Sequence, residues 1–276
     1  MRCAMLMLLA AALPAAAAVR TATVEYRDGE AVLEGYVAYD DATAQPRPGV
    51  LVVHEWYGLN EYIRQRTRQL AQMGYTAFAA DIYGKGRRAQ TAEEAAKLAG
   101  PFRGDIPLLR RRAEAALAEL RRQPNVQADR LAAIGFCFGG TTVLELARGG
   151  AELKAVVSFH GGLGTERPYE ARNIKAAVLA LHGAEDPHVP PAEVAGFQKE
   201  MREAKVDWQL ISYGRAVHSF TNPAAGDDPS KGAAYDERAA RRAWGAMQLF
   251  LAETVGRPAQ AGPIAPPATQ EAATRP

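Results

Sequence analysis

Cysteine is nearly missing from this sequence: there are two in 276 residues, Cys3 and Cys137. So few thiols exclude a disulfide framework. A charge excess is missing as well. Lys and Arg number 33 against 31 Asp and Glu, a formal net charge of +2, which argues against nucleic acid as the main partner. Past the N-terminus, no apolar run is long enough to span a bilayer. A zinc-protease helix beginning at His54-Glu55 would need a second histidine at 58, and Gly58 stands there. Gly84-Lys85-Gly86-Arg87-Arg88-Ala89 matches a dinucleotide-binding loop only loosely, because it neither follows a first strand directly nor opens a helix. No metal and no cofactor is expected, and no internal repeat is visible.

What is present begins with a leader. Arg2 supplies a positive start, Met5 to Leu13 a short apolar core, and Ala16-Ala17-Ala18 a small-residue cleavage site before Val19. Residues 1–18 are therefore expected to be a secretory signal, with no cysteine placed for a lipid anchor. The mature chain would be periplasmic or secreted, off the membrane, and a monomer. Cleavage removes Cys3 and leaves Cys137 as a single thiol in an oxidising compartment, either buried or reactive. Residues 257–276 are rich in Ala and Pro without apolar period and read as a disordered tail.

Between them, residues 19–256 read as one domain. Thr21 to Arg27 and Ala31 to Tyr39 alternate around Asp28-Gly29, a hairpin pattern. Val50 to Val53 is a continuous apolar run, as in a strand covered on both faces. Asn60 can cap a helix with an inward stripe of Ile63, Thr67, Leu70 and Ala71, ended by Gly74. Further strands are expected at 75–80, 131–134, 155–159, 176–181 and 207–213. Helices are expected at 91–99, from 105, at 141–147, 190–204 and 235–254. The arginines at 110, 111, 112, 121 and 122 read as a solvated face, with Arg110 and Glu114 as an i,i+4 pair. Alternating strands and helices predict a single-domain α/β fold, a mainly parallel sheet with helices on both faces and an N-terminal antiparallel hairpin. Ligands in such sheets bind at the C-terminal ends of the strands. That selects loops 54–60, 81–88, 136–140, 182–190 and 213–222.

One stretch organises these loops. Leu131 to Ile134 is a buried strand, and Thr141 to Ala147 a helix. Between them stands Gly135-Phe136-Cys137-Phe138-Gly139-Gly140, a strand–turn–helix elbow with a nucleophile-type residue at its tip. A side chain two residues to either side of the tip would collide with strand or helix. The helix N-terminus beneath favours a thiolate. A buried, inert cysteine is the bland alternative. Two later loops weigh against it. Gly183-Ala184-Glu185-Asp186 presents an acid and Val217-His218-Ser219-Phe220 an imidazole. Nucleophile, acid, histidine is the order of α/β-hydrolases. Cys137 would attack a carbonyl, His218 would move the proton, and Asp186 would fix the imidazole tautomer. His188 shares the acid's loop and is poorly placed to be held by it. His160 and His182 end apolar strands and read as hydrogen-bonded structural residues.

With those residues in view, the chain resembles the dienelactone hydrolase family. The resemblance rests on residues 53–60 (Val53-His54-Glu55-Trp56-Tyr57-Gly58-Leu59-Asn60), Ala80-Asp81-Ile82-Tyr83, the elbow, residues 183–186 and His218-Ser219-Phe220, and spans roughly 23–251. It implies a Cys137–His218–Asp186 triad, a Glu55 that meets the thiol and helps form the thiolate, and an oxyanion hole from the backbone N–H groups of Trp56 and Phe138. It also implies two arginines for a substrate carboxylate, which align here with Lys85 and Asn222. Lys85 loses the bidentate fork and Asn222 the charge, so dienelactone itself is not assured as substrate. Tyr83 and Phe220, with Trp56, Tyr57 and Phe136, line either an apolar pocket or the core. The implied activity is hydrolysis of small esters or lactones through an acyl-cysteine. A non-catalytic binding or thiol-redox protein on the same fold is the alternative.

Overall fold

The computed structural model describes residues 19–41, 44–123 and 125–258. The expected leader lies outside the described residues, as does the expected tail beyond its first two residues. The hairpin is present: strands β1 (Val19–Asp28) and β2 (Ala31–Asp40) pair antiparallel about a turn at Gly29. The chain then alternates through β3 (Arg47–Val53), α1 (Glu61–Gln72), β4 (Thr76–Ala80), α2 (Ala92–Gly104), α3 (Ile106–Arg122), β5 (Val126–Phe136), α4 (Phe138–Arg148), β6 (Ala155–Phe159), β7 (Ala177–Gly183), α5 (Pro191–Glu203), β8 (Trp208–Tyr213) and α6 (Glu237–Thr254). One sheet of order β1-β2-β4-β3-β5-β6-β7-β8 results, parallel from β4 through β8.

Residues in β3 show why the run at 50–53 is unbroken. Leu51 and Val53 enter a core shared with α3 and α4, while Val50 and Val52 enter a second core closed by α1 and α6. Both faces are covered, so both alternating positions must be apolar. The Asn60 side chain accepts from the Ile63 N–H, and the buried residues of α1 are Ile63, Thr67, Leu70 and Ala71.

The arginine face of α3 departs from expectation at Arg110 and Arg112, while Arg111 and Arg122 are exposed as expected. Arg110 does not pair with Glu114. It reaches Glu145 of α4 at 2.6 Å and Glu170 at 2.5 Å, and Arg112 reaches Asp28 at 3.2 Å. These side chains leave solvent because α3 packs beside α4 and the hairpin, which carry buried carboxylates. Behind them Arg148 is fully buried. It grips both oxygens of Glu200 at 2.8 Å and one of Glu145 at 2.9 Å, and donates to the Leu163 carbonyl. This network fastens α4, which begins at the elbow, to α3 and α5.

Removing one member of a buried ion cluster leaves its partners charged and dry. Arg148→Ala is expected to cost about 3 kcal/mol or more of stability, read as a lowered denaturant midpoint. A midpoint equal to that of the parent chain would contradict this account.

Candidate active site

Four loops at the C-terminal rim of the sheet build the site. At the end of β5 the chain turns sharply, and Cys137 sits at φ 53°, ψ −115°, outside the regions an L-residue favours. Two glycines permit the turn. A Cβ on Gly135 would stand 2.0 Å from the Gly139 carbonyl oxygen, and one on Gly139 would stand 2.3 Å from the Val53 carbonyl oxygen. The turn raises the thiol at the N-terminus of α4, where Cys137 lines a cavity of about 1010 Å³.

The imidazole and the acid come from the loops after β8 and β7. His218 Nε2 lies 3.0 Å from Cys137 Sγ, and His218 Nδ1 lies 2.7 Å from Asp186 Oδ2. The other Asp186 oxygen accepts the His188 backbone N–H at 2.8 Å. Asp186 is buried, so its two oxygens are fixed by these donors. Burial would push the His218 pKa down. The hydrogen bonds to Asp186 and Cys137, with their charge, overcome that and push it up to about 10. The site therefore favours imidazolium at neutral pH, which makes sulfur the acceptor of Nε2–H. His188 packs its ring edge against His218, 5.1 Å between centroids, and contacts Asp186 through its backbone rather than its ring.

The loop after β3 carries Glu55 and Trp56. Burial raises the Glu55 pKa, opposed by Asn222, His218, Ser219 and Arg66. Its carboxylate accepts from Asn222 Nδ2 at 2.5 Å and from Ser219 Oγ at 3.4 Å, while the sulfur is bonded to His218. The backbone N–H groups of Trp56 and Phe138 have no protein acceptor among the described residues. His54 donates Nδ1–H to the Glu55 carbonyl at 2.6 Å and accepts the Ile82 N–H on Nε2, a structural role.

Lys85 and Asn222, aligned with substrate-binding arginines, and Tyr83 and Phe220, read as pocket or core, do not line the cavity. Lys85 lies on the surface in an ion pair with Glu25 at 2.7 Å. Asn222 is occupied by Glu55 and by the Ala224 N–H. Tyr83 is buried, its hydroxyl donating to the Trp56 carbonyl at 3.0 Å, so it braces the 54–58 turn. Phe220 is fully buried against His160 and Tyr213. Aromatic rings inside the rim are drawn into the core because both sheet faces there are covered. The cavity is lined by Trp56, Phe138, His188 and Ser219 of the expected loops, and also by segments that the sequence pattern did not select: 103–109, with Arg103 and Ile106, and 162–167, with Arg167. The second follows the β6 strand end at His160-Gly161-Gly162, a rim position that its apolar run could have flagged. Among the described residues no group of three or more His, Cys, Asp or Glu side chains is arranged to hold a metal ion.

A strained elbow on a mostly parallel sheet, with an acid and a histidine in successive later loops, defines the α/β-hydrolase class. The family model of the dienelactone hydrolase family matches residues 33–255, and the chain belongs to that family. A Synechocystis sp. protein provisionally named carboxymethylenebutenolidase is 30% identical over 256 residues, covering 85% of this chain and 98% of its own. The crystal structure of P91, a dienelactone hydrolase-like promiscuous phosphotriesterase from metagenomic libraries, superimposes with a TM-score of 0.82 at 44% identity, over 86% of this chain and 99% of its own. A Klebsiella pneumoniae protein provisionally named dienelactone hydrolase gives a TM-score of 0.74 at 26% identity, over 86% of this chain and 99% of its own.

The His218 proton supplies a test. A pKa raised to about 10 from an ordinary 6.5 means the folded state holds the proton more tightly. The stabilisation is complete below the ordinary value and fades as pH rises through the raised one. In an NMR titration the His218 ring resonances are expected to move with a midpoint well above the ordinary value. Cys137→Ala and Asp186→Asn are each expected to lower it, because the first removes the acceptor on Nε2 and the second the negative charge on Nδ1. A parent midpoint near the ordinary histidine value would refute the arrangement.

Proposed function

We propose that this chain hydrolyses small esters or lactones through an acyl-cysteine intermediate, without a cofactor, as an exported protein. One observation carries the reading: an unbroken line from sulfur to imidazole to carboxylate, 3.0 Å and 2.7 Å long, with its sulfur end in an open cavity.

The chemistry follows from the charges. With its proton on His218, Cys137 is the nucleophile and attacks the substrate carbonyl. The developing oxyanion lies against the free N–H groups of Trp56 and Phe138. His218 then gives its proton to the departing alkoxide, which in a lactone stays attached to the acyl group. A water loses a proton to His218 and attacks the thioester, the carbon–sulfur bond breaks, and the product leaves as acid. Asp186 holds Nδ1–H throughout, which fixes the tautomer and stabilises the imidazolium. Glu55 sits beside this pair as a carboxylate held by Asn222 and Ser219. Burial raises its pKa, and His218 works against that rise.

P91 is named for phosphotriester hydrolysis, and its 44% identity to this chain makes a phosphotriester the second substrate class. The same line of groups fits it, with attack at phosphorus in place of carbon. A redox or binding role for a lone thiol does not call for an acid and an imidazole hydrogen-bonded in series to the sulfur.

A panel of p-nitrophenyl acetate, short-chain lactones and a phosphotriester separates these readings. Ester or lactone turnover is expected, with Cys137→Ala lowering kcat at least a thousandfold, as for loss of other activated nucleophiles. Intact mass after rapid mixing is expected to show one acyl group on Cys137. Equal turnover by parent and Cys137→Ala, or none by either, would sink the proposal. Turnover of the phosphotriester alone would move the substrate class.

Export rests on the leader at 1–18. Expressed with that segment in a Gram-negative host, the protein is expected in the periplasmic fraction with Val19 as its first residue by intact mass. A cytoplasmic product that retains Met1 or Arg2 would reject it.

A further inference from the structure

The loop that presents His218 is held from behind by groups that do not enter the reaction described above. His160 follows β6 and has φ 39°, a left-handed conformation unusual for a residue other than glycine. Its ring is fully buried with its edge against His218, 5.5 Å between centroids. Nδ1 lies 3.2 Å from the backbone nitrogen of Cys137, whose N–H is shared with the Phe159 carbonyl at 3.0 Å. Nε2 lies 2.7 Å from Thr221 Oγ1. Thr221 Oγ1 lies 2.8 Å from the Tyr62 hydroxyl, which also reaches the Thr221 carbonyl at 3.2 Å. Arg66 donates to that carbonyl at 2.8 Å and lies over the Tyr62 and Trp244 rings.

Donor and acceptor counting leaves one arrangement. The Cys137 N–H can only donate, so His160 Nδ1 must accept and Nε2 must carry the ring's proton. Nε2–H donates to Thr221 Oγ1, whose own proton goes to Tyr62, whose proton goes to the Thr221 carbonyl. Each hydrogen has one place. A second proton on His160 would point Nδ1–H at the Cys137 N–H and set a cation beside imidazolium His218. The charged or titratable groups facing it are Cys137, His218, Tyr62 and Arg66. Burial and His218 both lower its pKa, consistent with a neutral ring.

We propose that His160 is a positioning residue, acting with Thr221 and Tyr62 as a buried strap that ties the nucleophile's backbone to the loop carrying His218 and so sets the sulfur–imidazole distance. The strap rests on the reading that Cys137 and His218 react together. Its effect is on geometry at the reacting pair, not on the cavity walls, because neither His160 nor Thr221 lines the cavity. Loss of the strap should therefore lower kcat and leave KM alone.

Thr221→Val keeps shape and removes the hydroxyl. Thr221→Ser keeps the hydroxyl. His160→Phe removes both ring nitrogens. On p-nitrophenyl acetate, Thr221→Val is expected to lower kcat about tenfold, the rate equivalent of one lost hydrogen bond, with KM unchanged within about twofold. Thr221→Ser is expected to restore most of the rate. His160→Phe should lose at least as much as Thr221→Val, and the double variant no more than His160→Phe, since both cut one circuit. Circular dichroism and thermal melts check that each variant folds, and the isosteric Thr221→Val keeps the test open if His160→Phe does not. The rate at which iodoacetamide alkylates Cys137 at pH 7, followed on its peptide by mass, is expected to rank the variants in the same order. Alkylation needs no substrate, so a parent chain that hydrolyses nothing would defeat the proposed function while still testing the strap. Wild-type kcat and wild-type alkylation in both Thr221→Val and His160→Phe, or a change in KM alone, would overturn it.

Discussion

The close approach of α4 to the end of β3 is the constraint on which the site depends. The bare Cα of Gly139 lies where any side chain would strike the Val53 carbonyl, and Gly135 faces Gly139 in the same way. With those gaps filled, the chain could not turn back within one residue, and Cys137 could not be held at positive φ. That strained conformation is maintained by its surroundings. Cys137 donates its N–H into the end of β6, its carbonyl accepts from Gly140 and Thr141, and α4 is anchored at its far end by buried Arg148. The backbone is thus most firmly held where it is least comfortable, as expected at a strained turn.

Charge is arranged with the same economy around one proton. Five histidines lie near the site, and four are held in other roles, His188 meeting Asp186 through its backbone N–H. His54 is committed to the Glu55 carbonyl and the Ile82 N–H, His160 to Cys137 and Thr221, and burial lowers the pKa of His182. Only His218 has a buried carboxylate on one nitrogen and a sulfur on the other. Environment, not residue type, sets this imidazole apart from the others.

Much of this was legible in the chain. The hairpin about Gly29, the inward stripe of α1 and the β6 limits at Ala155 and Phe159 follow from period and punctuation, because in each case the burial pattern repeats over several residues. The elbow and the order Cys137, Asp186, His218 were legible because they are local and sequential. Side-chain destinations were not. Lys85 and Asn222 occupy positions aligned with substrate contacts, yet each has a nearer partner, Glu25 or Glu55, that lies over fifty residues away in sequence. Arg110 exchanged an i,i+4 neighbour for Glu145 for the same reason. Nor did any periodic signal mark residues 103–109 or 162–167 as cavity walls, since they are placed there by the crossing of α2 and α3 and by the turn after β6.

The identity of residue 222 connects recognition to reactivity. Asn222 gives Glu55 one neutral donor where an arginine would give a fixed cation. With burial raising its pKa, the Glu55 carboxylate draws its remaining electrostatic support from His218 and Arg66. Asp186 and the sulfur are the groups that raise the His218 pKa. An arginine at 222 would instead pair Glu55 with a fixed cation and set that cation near the imidazole. A neutral residue at 222 thus bears on the charge around Glu55 and not on the cavity, which Asn222 does not line. It leaves Glu55 dependent on His218 and Arg66 for the charge that offsets its burial, so the carboxyl and the imidazole are coupled.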